Sequence, residues 1–426
     1  MKGALRIAGI LYDPEHLRPQ DQPGAAGPEA PSPGLMRLLF VVPRYGADIA
    51  GGAERVIRDY ALHMAERGHV VSVHTTCARD HVRWTNDLPE GETSDAGVRV
   101  VRHHVRTSDL HRRAQLEVQL SSGVRLSRSE EDEWLRESGH SQDLIDAIER
   151  EGHEADAIVF APYLFPTTVY GARAHPEKSV VVPCLHDEAY ARFECVRETL
   201  QGCAAIFYNT DAEARLAASL ISELPPSWTV GPGVSDVSGD GGRFTRAHPT
   251  AGPYIAYAGR RERGKNFPLL LEWTVAYNDH LRRAGRTTLV VMGRGDSTEL
   301  KLAADHVIDV GFVNTVTKSD AFAGSLAAVS LSVNESFSYM MMEAWLNGTA
   351  NVVHADCVVT RENCEQSGGG LWVRDAAEFG AALDRLQRDP ELRRLLAARG
   401  RNYVLNHYSW AAVLSRLESG LRSVAG

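Results

Sequence analysis

A two-domain α/β protein, each domain a parallel sheet covered by helices and the two facing each other across a cleft, is what this chain predicts. Three observations carry that reading. Its 426 residues exceed one compact core and match two domains of ordinary size. Short apolar runs alternate with helical patterns along most of its length. The alternation breaks once, at Gly231-Pro232-Gly233 and the polar, glycine-rich stretch to Arg246, and then starts again.

The elements follow in order. Residues 38–42, just after Met36, form the first convincing strand, and 70–73, 98–101, 157–160, 180–182 and 205–208 repeat the theme. Runs this short and apolar, set between helices, are how strands buried on both faces of a parallel sheet read. Between the first two, Pro43 to Tyr45 lead to Gly51-Gly52-Ala53-Glu54 and a helix with Val56, Ile57, Tyr60, Ala61 and Met64 inward, closed by Gly68. After the break come 254–258, 288–292, 307–310, 328–332, 351–354 and 371–373. Two Rossmann-like units result, 36–234 and 235–405, and ligands are expected at the carboxyl ends of their strands, in the cleft between them. Residues 1–35 read as a flexible tail, because 18–35 are rich in Pro, Gly and Ala without periodicity and cannot bury enough apolar surface to order themselves. Met36 is a second expected start of translation.

Composition excludes several classes. Hydrophobic residues at 43% and charged residues at 24% rule out wholesale disorder. A net charge of -9 argues against nucleic acid as the main partner. Cys77, Cys184, Cys195, Cys203, Cys357 and Cys364 form no CxxC pair or zinc-ligand spacing, so reduced, mostly buried thiols and a cytoplasmic location are expected. No apolar run approaches the roughly 20 residues that span a bilayer, which leaves at most a weak peripheral membrane contact. The N-terminal apolar stretch is broken by Arg6 and Gly9 and does not read as a signal peptide. Residues 102–153 are charged and His-rich; two short helices, 130–136 and 142–150, are expected in what reads as a solvated excursion rather than an acceptor-binding insert. Its histidines lack HxxxH spacing, and no metal is expected.

The strongest constellation is 334–348, Asn-Glu-Ser-Phe-Ser-Tyr-Met-Met-Met-Glu-Ala-Trp-Leu-Asn-Gly, behind the strand 328–332. Ser336 or Ser338 can cap a helix that Gly348 ends, leaving free N–H groups toward the cleft, and such groups suit a diphosphate. Glu343 lies about five residues into that helix, about 7 Å from its start, which is about the separation of a pyrophosphate from its ribose. A carboxylate there can accept both ribose hydroxyls. An incidental glutamate beside Met340, Met341 and Met342 as core packing accounts for the spacing equally well.

The second constellation, Gly259-Arg260-Arg261-Glu262-Arg263-Gly264-Lys265-Asn266, follows the strand 254–258. Cations at a strand's carboxyl end can neutralise charge that builds on a departing diphosphate. Arg260 and Lys265 are the candidates, and Arg261 and Arg263 are expected to be solvated. The segment also fits GxxxxGK of a phosphate-binding P-loop, but Asn266 stands where that loop needs Ser or Thr for magnesium, and Pro268 suits a helix start slightly later. His186, in Pro-Cys-Leu-His-Asp-Glu after the strand 180–182, reads as structural or as a site residue.

Two glutamates with seven residues between them, in the setting E-S-F-S-x-x-x-x-E-A-W-L-x-G, resemble the EX7E motif of the family 4 GT-B glycosyltransferases, which are retaining enzymes. The resemblance covers nearly everything from residue 36 onward and is strongest over 254–350. It implies a GT-B fold, with the first domain on the acceptor side and the second holding the nucleotide sugar. It places Glu335 at the donor sugar or reacting centre and Glu343 at the ribose. Arg260 and Lys265 match the family's G-R-x-x-x-x-K segment, and His186 falls near a histidine that contacts the donor sugar. Phe337, Ser338, Tyr339, Gly51, Gly52, Gly293 and Phe312 correspond to loops around the donor, although Gly51-Gly52, Gly293 and the Phe312 loop read equally well as plain turns. Tyr408-Ser409-Trp410 and 411–421 look like the family's closing helix, so 406–426 is expected to cross back onto the first domain. The implied function is transfer of a sugar from a nucleotide-diphosphate sugar to a carbohydrate, lipid-linked or small-molecule acceptor, with no cofactor. No DxD-like pair stands at a strand end, so no metal is implied. The chain departs from the family at Gly231-Pro232-Gly233-Val234, where Asn-Gly-Val is more usual, and at 102–153. Two other readings compete: an NTP-hydrolysing protein with a P-loop, and a catalytically silent partner subunit that binds nucleotide sugar.

Overall fold

The structure, a computed structural model, describes residues 34–49, 51–249, 252–281, 286–296, 298, 300 and 303–426, together with the short antiparallel pair Arg6–Ile7 and Ile10–Leu11. The expected flexible stretch 18–35 lies outside the described residues except for 34 and 35.

Two parallel sheets form the framework. The first has eight strands in the order Ser227–Thr229, Ala205–Tyr208, Ser179–Val181, Ala157–Phe160, Arg37–Val41, Val70–Thr76, Val98–His103 and Gly91–Asp95, of which the last alone runs antiparallel. The second has six parallel strands in the order Val307–Gly311, Thr288–Met292, Tyr254–Ala258, Ala327–Ser330, Asn351–His354 and Gly370–Val373. In each, the chain enters at a central strand, builds outward to one side and then crosses to the other. Arg37–Val41 thus sits between Val70–Thr76 and Ala157–Phe160, and Tyr254–Ala258 between Thr288–Met292 and Ala327–Ser330. Each is a topological switch point, where the loops leaving adjacent strands diverge and open a crevice. The loops after Val41, Ala258 and Ser330 carry Gly51-Gly52, Arg260 with Lys265, and Glu335, while His186, Gly293 and Phe312 follow other strands.

The helix Gly52–Glu66 buries Val56, Ile57, Tyr60, Ala61 and Met64, the stripe its periodicity predicts. The last helix, Trp410–Ala425, places Val413, Leu414, Leu417 and Leu421 in the core of the first domain, although it follows the second in sequence. A separate cluster of Val234, Phe337, Met341, Met342, Trp345 and Tyr408 lies along the seam.

The unusual joint has a packing reason. A side chain on Gly233 would start 2.3 Å from the Trp410 ring, and one on Gly231, in the left-handed region at φ 70°, would meet Tyr408 at 2.8 Å. The Tyr60 hydroxyl donates to the Gly231 carbonyl at 2.7 Å, and Val234 N–H to the Tyr408 carbonyl at 2.8 Å. Gly233→Ala is therefore expected to destabilise the protein by about 1–3 kcal/mol through overpacking, measured as a shift of the denaturant midpoint at unchanged slope.

The segment 102–153 corrects the sequence expectation. It holds three helices, Leu110–Ser121, Arg128–Arg136 and Gln142–Glu151, and it is packed rather than merely solvated. Leu116, Leu126, Trp134 and Leu135 join a cluster with Phe193 and Val196. Ser127 and Glu130 form a reciprocal capping box, and the Glu131 carboxylate accepts from the backbone N–H groups of Glu194 and Cys195 at 2.9 and 3.1 Å. Gly91–Asp95 and Ser227–Thr229, the two edge strands, were also not expected.

A buried histidine pair sits inside the first sheet. His74 Nδ1 is 3.1 Å from His103 Nε2, and His74 Nε2 is 3.3 Å from Glu151. Burial outweighs the Glu151 carboxylate and pushes His74 down to about 4, so it folds neutral. A lowered histidine pKa gives stability that is present above the unfolded value near 6.5 and lost as pH falls through the folded one. Stability is expected to decline by roughly 2 kcal/mol or more between those limits. Chemical denaturation across the interval checks this, with a flatter dependence in His74→Gln.

Candidate active site

Because Tyr254–Ala258 and Ala327–Ser330 are neighbours, the loops that leave their carboxyl ends meet. Lys265 Nζ donates to Glu335 Oε1 at 2.8 Å, with side-chain exposures of 22% and 12%. The turn carrying Lys265 is a short 3-10 helix, Arg263–Lys265, that ends on left-handed Asn266. The Asn266 amide donates to the Leu331 carbonyl at 2.9 Å, which fastens the two loops together. Asn266 thus has a structural task, and the following helix, Phe267–Leu281, begins with Pro268 in its first turn. In a P-loop the Gly-Lys pair opens the helix, whereas here Lys265 closes a 3-10 turn and the helix starts two residues later, at Phe267.

Arg260 is half exposed at the cleft, with its guanidinium 3.2 Å from Glu262, and its carbonyl accepts from the Tyr257 hydroxyl at 2.6 Å. Arg261 corrects the expectation of a solvated side chain. It is only 7% exposed and pairs with Asp309 at 2.5 Å, bracing the loop against the edge strand. Arg263 is exposed, as expected.

The helix Tyr339–Leu346 carries Glu343 in its interior. Both oxygens of that carboxylate are held, Oε1 by Arg55 Nη1 at 2.8 Å and Oε2 by Lys318 Nζ at 2.7 Å. Burial raises its pKa, but Lys318 and Arg55 more than offset that and keep it below the ordinary carboxylate range. The Arg55 guanidinium carbon also sits over the Tyr339 ring, 3.8 Å from its centroid. The expected capping is not found. Ser338 stands at the N-cap position without a side-chain capping bond, and the Ser336 hydroxyl instead meets the Asn209 amide of the first domain at 3.4 Å. Phe337 packs edge-on against Tyr408. Met340, Met341 and Met342 are buried, which is the packing role read for them.

On the first domain, Gly51 precedes the helix Gly52–Glu66. A side chain there would start 1.9 Å from the Glu54 carboxylate, which is itself paired with the Arg44 guanidinium; Gly52 has open space. His186 follows Ser179–Val181 on a loop that the buried Glu213 secures by accepting from Leu185 and Asn209 N–H groups at 2.5 and 2.6 Å. Its Nδ1 is 3.7 Å from Glu188, which accepts from the Tyr163 hydroxyl at 2.7 Å. Burial raises the pKa of Glu188, but His186, Tyr163 and, more weakly, Lys265 hold it below its usual value. Burial, with Arg44, Arg260 and Arg113 around it, pushes His81 down to about 4. Cations of both domains therefore act on one side of the cleft.

Gly293 is set by backbone approach. A Cβ there would start 2.0 Å from the Gly259 carbonyl, and Gly293 N–H donates to Gly311 at 2.8 Å. Phe312 stays 63% exposed beneath Arg294, whose guanidinium is 4.7 Å from the ring centroid.

The structure thus brings Glu335 to Lys265, and Glu343 to two cations the sequence reading did not single out, Arg55 and Lys318. Glu188 was also missed, although its place two residues after His186 was a usable signal. Among the described residues, no group of three His, Cys, Asp or Glu side chains is arranged to hold a metal ion, and no helix is long and apolar enough to cross a membrane.

Residues 252–389 match the family model of the glycosyl transferases group 1. No curated protein matches the chain. Among solved structures, sucrose-phosphate synthase from Thermosynechococcus elongatus is similar at a TM-score of 0.69 and 16% identity, over 91% of this chain and 99% of that one. HepE of Anabaena in complex with UDP and glucose is similar at 0.66 and 14%, over 91% and 100%. The α,α-trehalose 6-phosphate synthase of Burkholderia multivorans is similar at 0.64 and 12%, over 92% and 97%. At such identities the likeness carries the fold, which is GT-B.

Proposed function

We propose that this chain is a retaining, family 4-like glycosyltransferase that moves a sugar from a nucleotide-diphosphate sugar to an acceptor hydroxyl. The observation that carries the proposal is the pairing of Glu335 with Lys265 at the mouth of the second domain's switch point, with Glu343 inside the helix that follows Glu335 and Arg260 on the loop that carries Lys265. The family match over 252–389 spans these residues.

Transfer requires the bond between the anomeric carbon and the diphosphate oxygen to break, with the electron pair leaving on the diphosphate. The acceptor oxygen forms the new bond on the same face, and its proton passes to the departing phosphate. Charge therefore grows on the diphosphate as positive charge grows on the sugar ring. Lys265 and Arg260 suit the first and the Glu335 carboxylate the second. Cations in these places do the work a divalent ion does elsewhere, so transfer is expected to persist in a chelator. His186, with Glu188 and Tyr163 behind it, is assigned to the donor sugar, and Glu343 to the ribose. Gly51 and Gly52 face the donor and acceptor, while Phe337, Ser338, Tyr339, Gly293 and Phe312 border the nucleotide.

HepE binds UDP and glucose, which makes UDP-glucose the first donor to try. The acceptor is assigned to glycan, glycolipid or glycosylated natural-product synthesis, and six unpaired cysteines suit a cytoplasmic setting. An anomeric-proton NMR spectrum of the product tests the mechanism. The donor's own anomeric configuration is expected, and an inverted linkage contradicts retention. A protein that bound donor tightly and never turned it over with any acceptor would be a silent partner subunit instead.

A further inference from the structure

We propose that Arg55 gates the donor site: its guanidinium holds the carboxylate that the nucleotide's ribose is to use, so donor entry has to part Arg55 from Glu343. This rests on the assignment of Glu343 to the ribose.

The contact joins residues 288 positions apart, one on the first helix of the first domain and the other on the switch-point helix of the second. Each Glu343 oxygen already has a cation, Arg55 at 2.8 Å and Lys318 at 2.7 Å, and the residue is only 6% exposed. A carboxylate has lone pairs to spare for two hydroxyls, but at this burial nothing can approach them until a neighbour moves. Lys318 belongs to the same domain as Glu343 and travels with it. Arg55 does not, because it is carried by the opposite wall of the cleft.

Arg55 has the features of a two-position element. Its guanidinium carbon sits over the Tyr339 ring at 3.8 Å and its Nη1 reaches Glu343, while its Nε is 3.5 Å from Asp59, one turn along its own helix. Parted from Glu343, it keeps Asp59 as a partner and its charge is not stranded. The two positions differ in which domain Arg55 holds, so they also differ in how far the cleft can open. A ligand that binds only the parted arrangement has its apparent affinity reduced by the fraction of molecules in that arrangement. Weakening the Arg55 contact should therefore tighten donor binding, the opposite of what removal of a ligand-contacting arginine does.

The test is calorimetric binding of UDP, GDP, ADP and dTDP to the full-length wild type, Arg55→Met, Arg55→Lys and Glu343→Gln. Methionine keeps an unbranched apolar chain over Tyr339 and removes the charge. The nucleotide that binds wild type is expected to bind Arg55→Met about tenfold tighter and Arg55→Lys nearly as wild type does. Small-angle scattering should give Arg55→Met a larger radius of gyration than wild type. Arg55→Met binding no more tightly than wild type, while Glu343→Gln binds more weakly, overturns the gate and leaves the ribose assignment standing. Unchanged affinity in Glu343→Gln together with Arg55→Met no tighter than wild type, or no binding of any of the four nucleotides to either wild type or Arg55→Met, overturns the ribose assignment and the gate with it.

Discussion

Lys265→Ala is expected to lower turnover at saturating donor by roughly a hundredfold or more, the typical cost of losing one donor aimed at charge that develops in the transition state. From the sequence alone, turnover is expected to fall far more than stability. The 2.8 Å bond to Glu335 alters that, because the substitution strands a carboxylate whose side chain is only 12% exposed. The melting temperature should fall as well, and the two effects separate in a double variant. Lys265→Ala with Glu335→Gln should regain stability, since the stranded charge is gone, and should regain no turnover. Thermal melts and product release on the same samples give the comparison. Unchanged turnover in Lys265→Ala would remove that residue from the site.

The two glutamates should part company in binding and rate. Glu343→Gln is expected to weaken nucleotide binding by about 1.5–3 kcal/mol, the worth of a hydrogen bond to a charged group. That is roughly ten- to 150-fold in dissociation constant before the looser Arg55 contact that the same change brings, which on the gate proposal returns about tenfold and leaves a net loss of up to about 15-fold. Glu335→Gln should leave the dissociation constant nearly intact and lower turnover, because it acts where positive charge develops. Calorimetry and product release on both variants make the measurement. Lower melting temperatures with affinity and turnover untouched would make both glutamates structural.

How much of this was legible in the sequence depends on where the physical signal lies. The parallel strands were readable because burial on both faces demands unbroken apolar runs, as in Ala157–Phe160 or Thr288–Met292. The edge strand Gly91–Asp95 has no apolar residue, and the helix Leu110–Ser121 buries only Leu116, so neither leaves a periodic trace. The glutamate pair was readable from spacing because helix, strand and closing glycine are local. Its partners were not. Arg55 and Lys318 reach Glu343 only through the tertiary arrangement, and Arg55 in sequence is one charge among several on a surface helix. Arg260, Arg261 and Arg263 look alike in sequence. The one that turns inward is chosen by Asp309 on the next strand but one and by Gly295, where a Cβ would start 2.6 Å from Arg261. Serine capping failed as an expectation for a similar reason, because the first domain supplies Asn209 as a partner for Ser336.

Thermal melting of the wild type and Glu343→Gln, each with UDP-, GDP-, ADP- or dTDP-sugars, tests the central claim most directly, since a ligand that binds only the native state raises the midpoint. The account predicts that at least one of the four raises the wild-type midpoint and that the rise is smaller in Glu343→Gln. No shift from any of them, or an equal shift in both proteins, would contradict it.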